Sequence, residues 1–335
     1  MPPREPEPIP DWMRRYLEEY LVSRLALVGP SPRIERPRWG VMSELAILED
    51  GQGIGHVVRF VRSKAAGDRL HRAHELAHAH HLPAPAITLV ELSPAHFRAH
   101  GFGVVAERRL PGRHLGPEEM DETRRAALAQ TLAAWHRLER ARWGPPGRPA
   151  WGSFVRRGLV GKLKNRLEGI ARHDPEYQRV WSKRVLTFAK LYAQVWDGGP
   201  PYALTHDKIN PGNVLFGEDG EVYLLDIGST QFGAPGKDLA AALDYFARGE
   251  ADEADLKAAY FARVDPRLAD HFVRFEPLYR LWHHLSRWAA RARSQVRKAA
   301  RAGRAIPLDR GHSYTREREA VWRWIERGLE RSPRR

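Results

Sequence analysis

The chain has 335 residues, 42% of them apolar, and a net charge of +14, enough for two lobes with a real core. It has no cysteine, which excludes disulfides, thiolate metal sites and a cysteine nucleophile. No apolar run approaches the roughly 18–20 residues of a membrane span, and the opening MPPREPEPIP lacks the apolar core of a signal peptide, so cytoplasm is the expected compartment.

The Pro-rich first ten residues read as extended, and Asp11 caps a helix over Trp12–Leu27 that Gly29-Pro30-Ser31-Pro32 breaks. From Ile34 to Val61 the pattern is strand-like: a short run ending at Trp39-Gly40, then Ser43–Leu48, a turn at Asp50-Gly51-Gln52-Gly53, then His56–Val61. A helix over Asp68–His81 follows, carrying His71, His74, His78 and His81, and Leu82-Pro83-Ala84-Pro85 ends it. Phe102–Glu107 reads as a buried strand, with a turn at Arg108-Arg109-Leu110-Pro111-Gly112. Beyond it the pattern is mainly helical: Thr123–Leu138, Trp151–Ala171, Pro175–Trp196, Asp238–Arg248, Glu250–Phe261, Asp265–Ala302 and Tyr314–Arg327.

The informative stretch runs from Tyr202 to Leu239, YALTHDKINPGNVLFGEDGEVYLLDIGSTQFGAPGKDL. Val214-Leu215-Phe216 and Val222-Tyr223-Leu224-Leu225 flank Gly217-Glu218-Asp219-Gly220, the chemistry of a hairpin. That hairpin brings Asn213 and Asp226 together, an amide oxygen beside a carboxylate, the hard oxygen set that Mg²⁺ takes when it also holds nucleotide phosphates. Two of the three asparagines of the chain, Asn210 and Asn213, fall in this stretch, which argues against an ordinary surface hairpin.

This stretch resembles the catalytic core of the aminoglycoside phosphotransferase and choline kinase family, whose loop reads H-x-D-x-x-P-x-N before a hairpin and a metal-binding Asp. His206, Pro211, Gly212 and Asn213 match in register, Asp226 falls at the metal position, and Asp238-Leu239-Ala240 matches the D-L-A that follows. FGVVAERRLPGRHL resembles the family's hinge between lobes, and LAAWHRL the helix after it. One departure stands out: the catalytic Asp position holds Lys208, with Asp207 one place early.

The resemblance implies an α+β, two-lobed protein-kinase-like fold, with a small antiparallel-sheet N-lobe and a large, mainly helical C-lobe. The expected divisions are an N-terminal extension and helix over 1–32, an N-lobe over 33–110, and a C-lobe over 111–335 with its catalytic loop at 204–240. It further implies ATP between the lobes, with adenine at Glu107, Arg108, Arg109 and Leu110, and Ser43 in a phosphate-covering turn. Arg59 would reach the phosphates, Glu75 would fix Arg59, and Asn213 and Asp226 would carry Mg²⁺. His206, Asp207 and Lys208 form the catalytic set, with Asp207 a substitute base or Lys208 a phosphate ligand in a protein that only binds nucleotide.

The expected activity is transfer of the γ-phosphoryl of Mg·ATP to a hydroxyl of a small molecule, with GTP as the alternative donor. The alternative reading is a nucleotide-binding pseudokinase with a regulatory role. Residues 137–172 hold ten Lys or Arg against two Glu, which favours a neutral or anionic acceptor over a polycationic aminoglycoside. No nucleic-acid partner is expected, because no recognised nucleic-acid motif accompanies the basic residues.

Overall fold

The computed structural model describes residues 8–25, 27, 32–36, 44–150, 153–171, 175–196, 202–301 and 312–330. Near its start, α1 (Asp11–Tyr16), a π-helical turn (Leu17–Leu21) and α2 (Val22–Arg24) run as one rod. Asp11 lies in the first turn of this rod rather than at its cap, which is Pro10.

Five strands follow: β1 (Arg33–Glu35), β2 (Glu44–Glu49), β3 (Gly55–Val61), β4 (Ile87–Glu91) and β5 (Gly103–Arg108). They form one antiparallel sheet in the order β1-β2-β3-β5-β4. Strand β4 has no counterpart in the sequence reading. The rod belongs to this lobe rather than standing outside it. Its Met13, Leu17 and Leu21 pack on Ala46, Val58, Phe60, Val104 and Ala106, so one sheet face is closed by the N-terminal residues. The other face meets α3 (Lys64–Ala79), which starts where Ser63 Oγ accepts from Ala66 N at 3.2 Å. Between β4 and β5 lies α4 (Pro94–His100).

The sheet ends at Arg108, and the next strand, β6 (Gly112–Arg113), already pairs with a strand of the larger lobe. There α5 (Glu122–His136), capped by Asp121, leads to β7 (Glu139–Arg140), a π-helical turn (Phe154–Val160), α6 (Gly161–Ala171) and α7 (Pro175–Gln194). Strands β8 (Tyr202–Thr205), β9 (Val214–Gly217), β10 (Val222–Leu224) and β11 (Gln231–Gly233) come next. They complete two small sheets, β10-β9-β6 and β11-β8-β7. Helices α8 (Gly236–Phe246), α9 (Glu250–Phe261), α10 (Pro266–Arg301) and α11 (His312–Glu330) close the chain. Trp135, Phe188, Tyr279, Trp282, Trp288 and Val321 are buried at the centre of this lobe. No helix among the described residues is long and apolar enough to cross a membrane.

Candidate active site

The loop after β8 is held from below by one carboxylate. Asp238, in the first turn of α8, accepts the backbone N–H of His206 at 2.6 Å and that of Asp207 at 3.0 Å. Such charge-assisted bonds are about twice as strong as neutral ones. Behind Asp238 stands the buried His136, 3.5 Å away, whose Nδ1 lies 2.7 Å from the Tyr260 hydroxyl. His206 is itself fully buried and splints the loop: Nε2–H donates to the Leu225 carbonyl at 2.7 Å, and Nδ1 accepts from Lys208 N at 3.3 Å. Burial, opposed by Asp238, holds its pKa below the ordinary histidine value, which fits a neutral ring in one tautomer. Both ring nitrogens of His206 are thus engaged within the loop and the strand end beside it.

The hairpin performs as its residues imply. Val214 pairs with Leu224, and Leu225 N bonds the Asn213 carbonyl at 2.9 Å, so Asn213 and Asp226 meet at one end. The side-chain amides of Asn210 and Asn213 both donate to the Lys208 carbonyl at 2.9 Å. With its nitrogen so engaged, Asn213 offers Oδ1 to a cation. Asp226 adopts left-handed backbone geometry, φ 54° and ψ 47°. The turn beyond it lies against α3, where a Cβ on Gly228 would stand 3.3 Å from Leu70. An amide oxygen and a carboxylate fit a hard divalent cation. Two cations already attend that carboxylate: Arg59 Nη1 is 3.1 Å from Oδ1, and Lys208 Nζ is 3.4 Å from Oδ2.

Arg59 joins the lobes. From β3 it reaches Asp226, and its Nε stands 4.0 Å from Glu107 on β5. The expected Glu75–Arg59 pair does not form: Glu75 is exposed and lies 3.7 Å from His71. Its neighbour His74 faces inward instead, bonding Glu107 at 3.1 Å and the Pro85 carbonyl at 3.0 Å. Helix α3 thus reaches Arg59 through His74 and Glu107. The residue one place earlier falls on the buried stripe of Leu70, Ala73 and Ala77. Within the expected hinge, the N–H groups of Arg108 and Arg109 bond the carbonyls of Ala86 and Gly55, both at 2.8 Å, and the Arg109 side chain pairs with Glu49. Leu110 follows, half-buried, between β5 and β6. Ser43 and its turn lie outside the described residues.

Asp207 has turned away from Lys208. With φ at 67° it sits in left-handed geometry, and its carboxylate is ion-paired with Lys237 of α8. Burial alone would raise its pKa, yet Lys237, Lys162 and Arg166 outweigh burial and hold it below the usual carboxylate value. Lys162 Nζ bonds Gln231 Oε1 at 3.3 Å, and burial lowers the Lys162 pKa despite Asp207 nearby. The sequence reading did not single out Lys162, Arg166 or Lys237. The excess of basic residues over 137–172 was their signal, and Lys237 stands next to Asp238.

Residues 38–272 match the family described as the phosphotransferase enzyme family. No curated protein matches the chain in sequence. Among solved structures it is similar to a putative fructosamine-3-kinase from Thermobifida fusca, at 18% identity and TM-score 0.59, covering 93% of this chain and 99% of that one. A Plasmodium vivax ethanolamine kinase aligns at 12% identity and TM-score 0.59, over 96% of this chain and 88% of that one. The GDP complex of aminoglycoside 2'-phosphotransferase-IIIa aligns at 16% identity and TM-score 0.57, over 93% and 98%. At these identities the structural likeness speaks for the protein-kinase-like fold alone, while the family match spans most of the sequence: the chain belongs to the phosphotransferase enzyme family.

Proposed function

We propose that this chain transfers the γ-phosphoryl group of Mg·ATP to a hydroxyl of a small molecule. The observation that carries the reading is the convergence of Arg59 and Lys208 on Asp226, with Asn213 at the same end of the hairpin, on a loop anchored by Asp238. Asn213 and Asp226 are the residues to hold Mg²⁺, which supplies charge neutralisation on the phosphates when bound. Arg59 is suited to the phosphates by its fixed charge and forked donors. In the reaction the bond from γ-phosphorus to the bridging oxygen breaks, a bond to the acceptor oxygen forms, and the hydroxyl proton is released. Positioning and electrostatics carry most of such a step, so the chain can work with a weak base.

A second reading has its own support. Lys208 stands at the position of the expected base, and Asp207 is engaged by Lys237, as suits a protein that binds nucleotide without rapid turnover. Thermal shifts with ADP and ATP, with and without Mg²⁺, test the shared part. Nucleotide should raise Tm, and Asp226→Ala should abolish the Mg²⁺-dependent increment. Equal shifts in both proteins, with or without Mg²⁺, would overturn the assignment. ADP release with a panel of hydroxylated metabolites then separates enzyme from binder.

A further inference from the structure

Beside the loop lies a group of cations larger than the fold requires. Lys162 and Arg166 are one turn apart on α6 and so share a face. Lys237 opens α8, and its ammonium bonds both the Asp207 carboxylate and, at 3.3 Å, the Asp207 carbonyl. Arg166 acts electrostatically on Asp207 and on Lys162 alike. Trp282 forms one wall, with the ammonium of Lys237 5.1 Å and that of Lys162 5.9 Å from its ring centroid. Gln231 Oε1 accepts from the Lys162 ammonium at 3.3 Å.

One carboxylate faces three cations, and Lys237 alone neutralises it. Desolvating two further cations is costly unless something negative joins them. Lys237 also sits at the positive end of the α8 dipole, where an anion is favoured and a cation is not. The Arg166 Nε is buried and has no hydrogen-bond partner among the described residues. None of the three side chains is fully sealed: Lys162 and Arg166 are partly exposed, and the Lys237 side chain keeps 12% of its surface open. Asp207 is the chain neighbour of Lys208, so the carboxylate that Lys237 holds and the ammonium beside Asp226 belong to consecutive residues of one loop.

We propose that Lys162, Arg166 and Lys237 form an anion subsite that binds a phosphate or carboxylate of the acceptor, making the substrate a hydroxylated anionic metabolite. This rests on the phosphotransferase reading and narrows its acceptor from neutral or anionic to anionic. Kinship with aminoglycoside-modifying folds does not favour this; the local charge does.

The test measures binding with ADP at saturation, so that the nucleotide phosphate positions are filled. Matched probes are glycerol, glycerate, glycerol 3-phosphate and inorganic phosphate, with kanamycin as the cationic control, each read by thermal shift and calorimetry. The expected result is a shift with the anionic probes and none with glycerol or kanamycin. Lys162→Gln and Arg166→Gln should each weaken that binding about tenfold or more. Preference for glycerol 3-phosphate assigns the subsite to phosphate, and preference for glycerate assigns it to carboxylate. No shift with any anion, equal shifts in wild type and both variants, or tighter binding of kanamycin overturns the proposal. The ADP-induced shift, recorded on the same samples, reports separately on the nucleotide site and on whether each variant is folded.

Discussion

Lys208 Nζ lies 3.4 Å from Asp226 Oδ2, so an ammonium attends the carboxylate that we propose for the divalent cation. Half of the Lys208 side chain is exposed, at 51%, so the contact can open without disturbing the core. An ammonium cannot accept a proton from a hydroxyl, but it can neutralise phosphoryl oxygens. Lys208→Asp is expected to raise acceptor-dependent ADP release by about 10²-fold, with little change in Tm, as for most surface substitutions. Steady-state kinetics with coupled ADP detection reads the effect. A drop in rate would instead assign Lys208 to charge stabilisation of the transferring group.

Asp238 bears more on folding than its place outside the cleft suggests. It is buried and accepts the N–H groups of two consecutive loop residues, His206 and Asp207. Asp238→Ala leaves both donors unpaired and is expected to cost about 2–4 kcal/mol. Asp238→Asn keeps one acceptor oxygen and should cost about half as much. Urea titration gives both values, and a loss under 1 kcal/mol for the alanine variant would show that water replaces the carboxylate.

Stability should fall on the acid side of neutrality, before carboxylates titrate. Burial, reinforced by Arg274, lowers the pKa of His271 to about 3, and burial lowers that of His283 to about 4. The unfolded chain takes up these protons near pH 6.5, whereas the fold refuses them. Stability is therefore full above pH 6.5, declines as pH falls, and stops declining on their account below about pH 3–4. By linkage each neutral histidine costs about 2 kcal/mol at pH 5. His271 stacks on Phe275 with ring centroids 4.4 Å apart, so His271→Phe should flatten the decline between pH 6.5 and 5. Unfolding midpoints at pH 8, 6.5 and 5 check this; parallel curves for the two proteins would contradict it.

The parts of the site within one short stretch were legible in the sequence, because a hairpin has one pairing that places its ends together. Asn213 and Asp226 are the example. The Glu75 expectation failed by one residue, a rotation of about 100° on a helix. The stripe Leu70, Ala73, Ala77 already assigned the inward face to His74. The cluster at Asp207 was hidden for a different reason. Lys162, Asp207 and Lys237 come from three separate elements, and only tertiary packing unites them. By contrast β4 was legible and passed over: Ile87-Thr88-Leu89-Val90 is a β-prone run between Pro85 and Ser93-Pro94, and it pairs with the edge that β5 offers.

The N-terminal rod and the last two helices have a practical consequence. The family match begins at residue 38 and ends at residue 272, yet Met13, Leu17 and Leu21 lie before it, and Tyr279, Trp282, Trp288 and Val321 lie after it. Trp282 also walls the cation cluster. A fragment cut at the borders of the match would bare an apolar sheet on one side and a hollow among aromatic rings on the other. The matched segment is not a portable cassette. Any transplant or trimming of this protein must carry both ends with it, because the least family-like stretches supply the walls that the most family-like residues stand on.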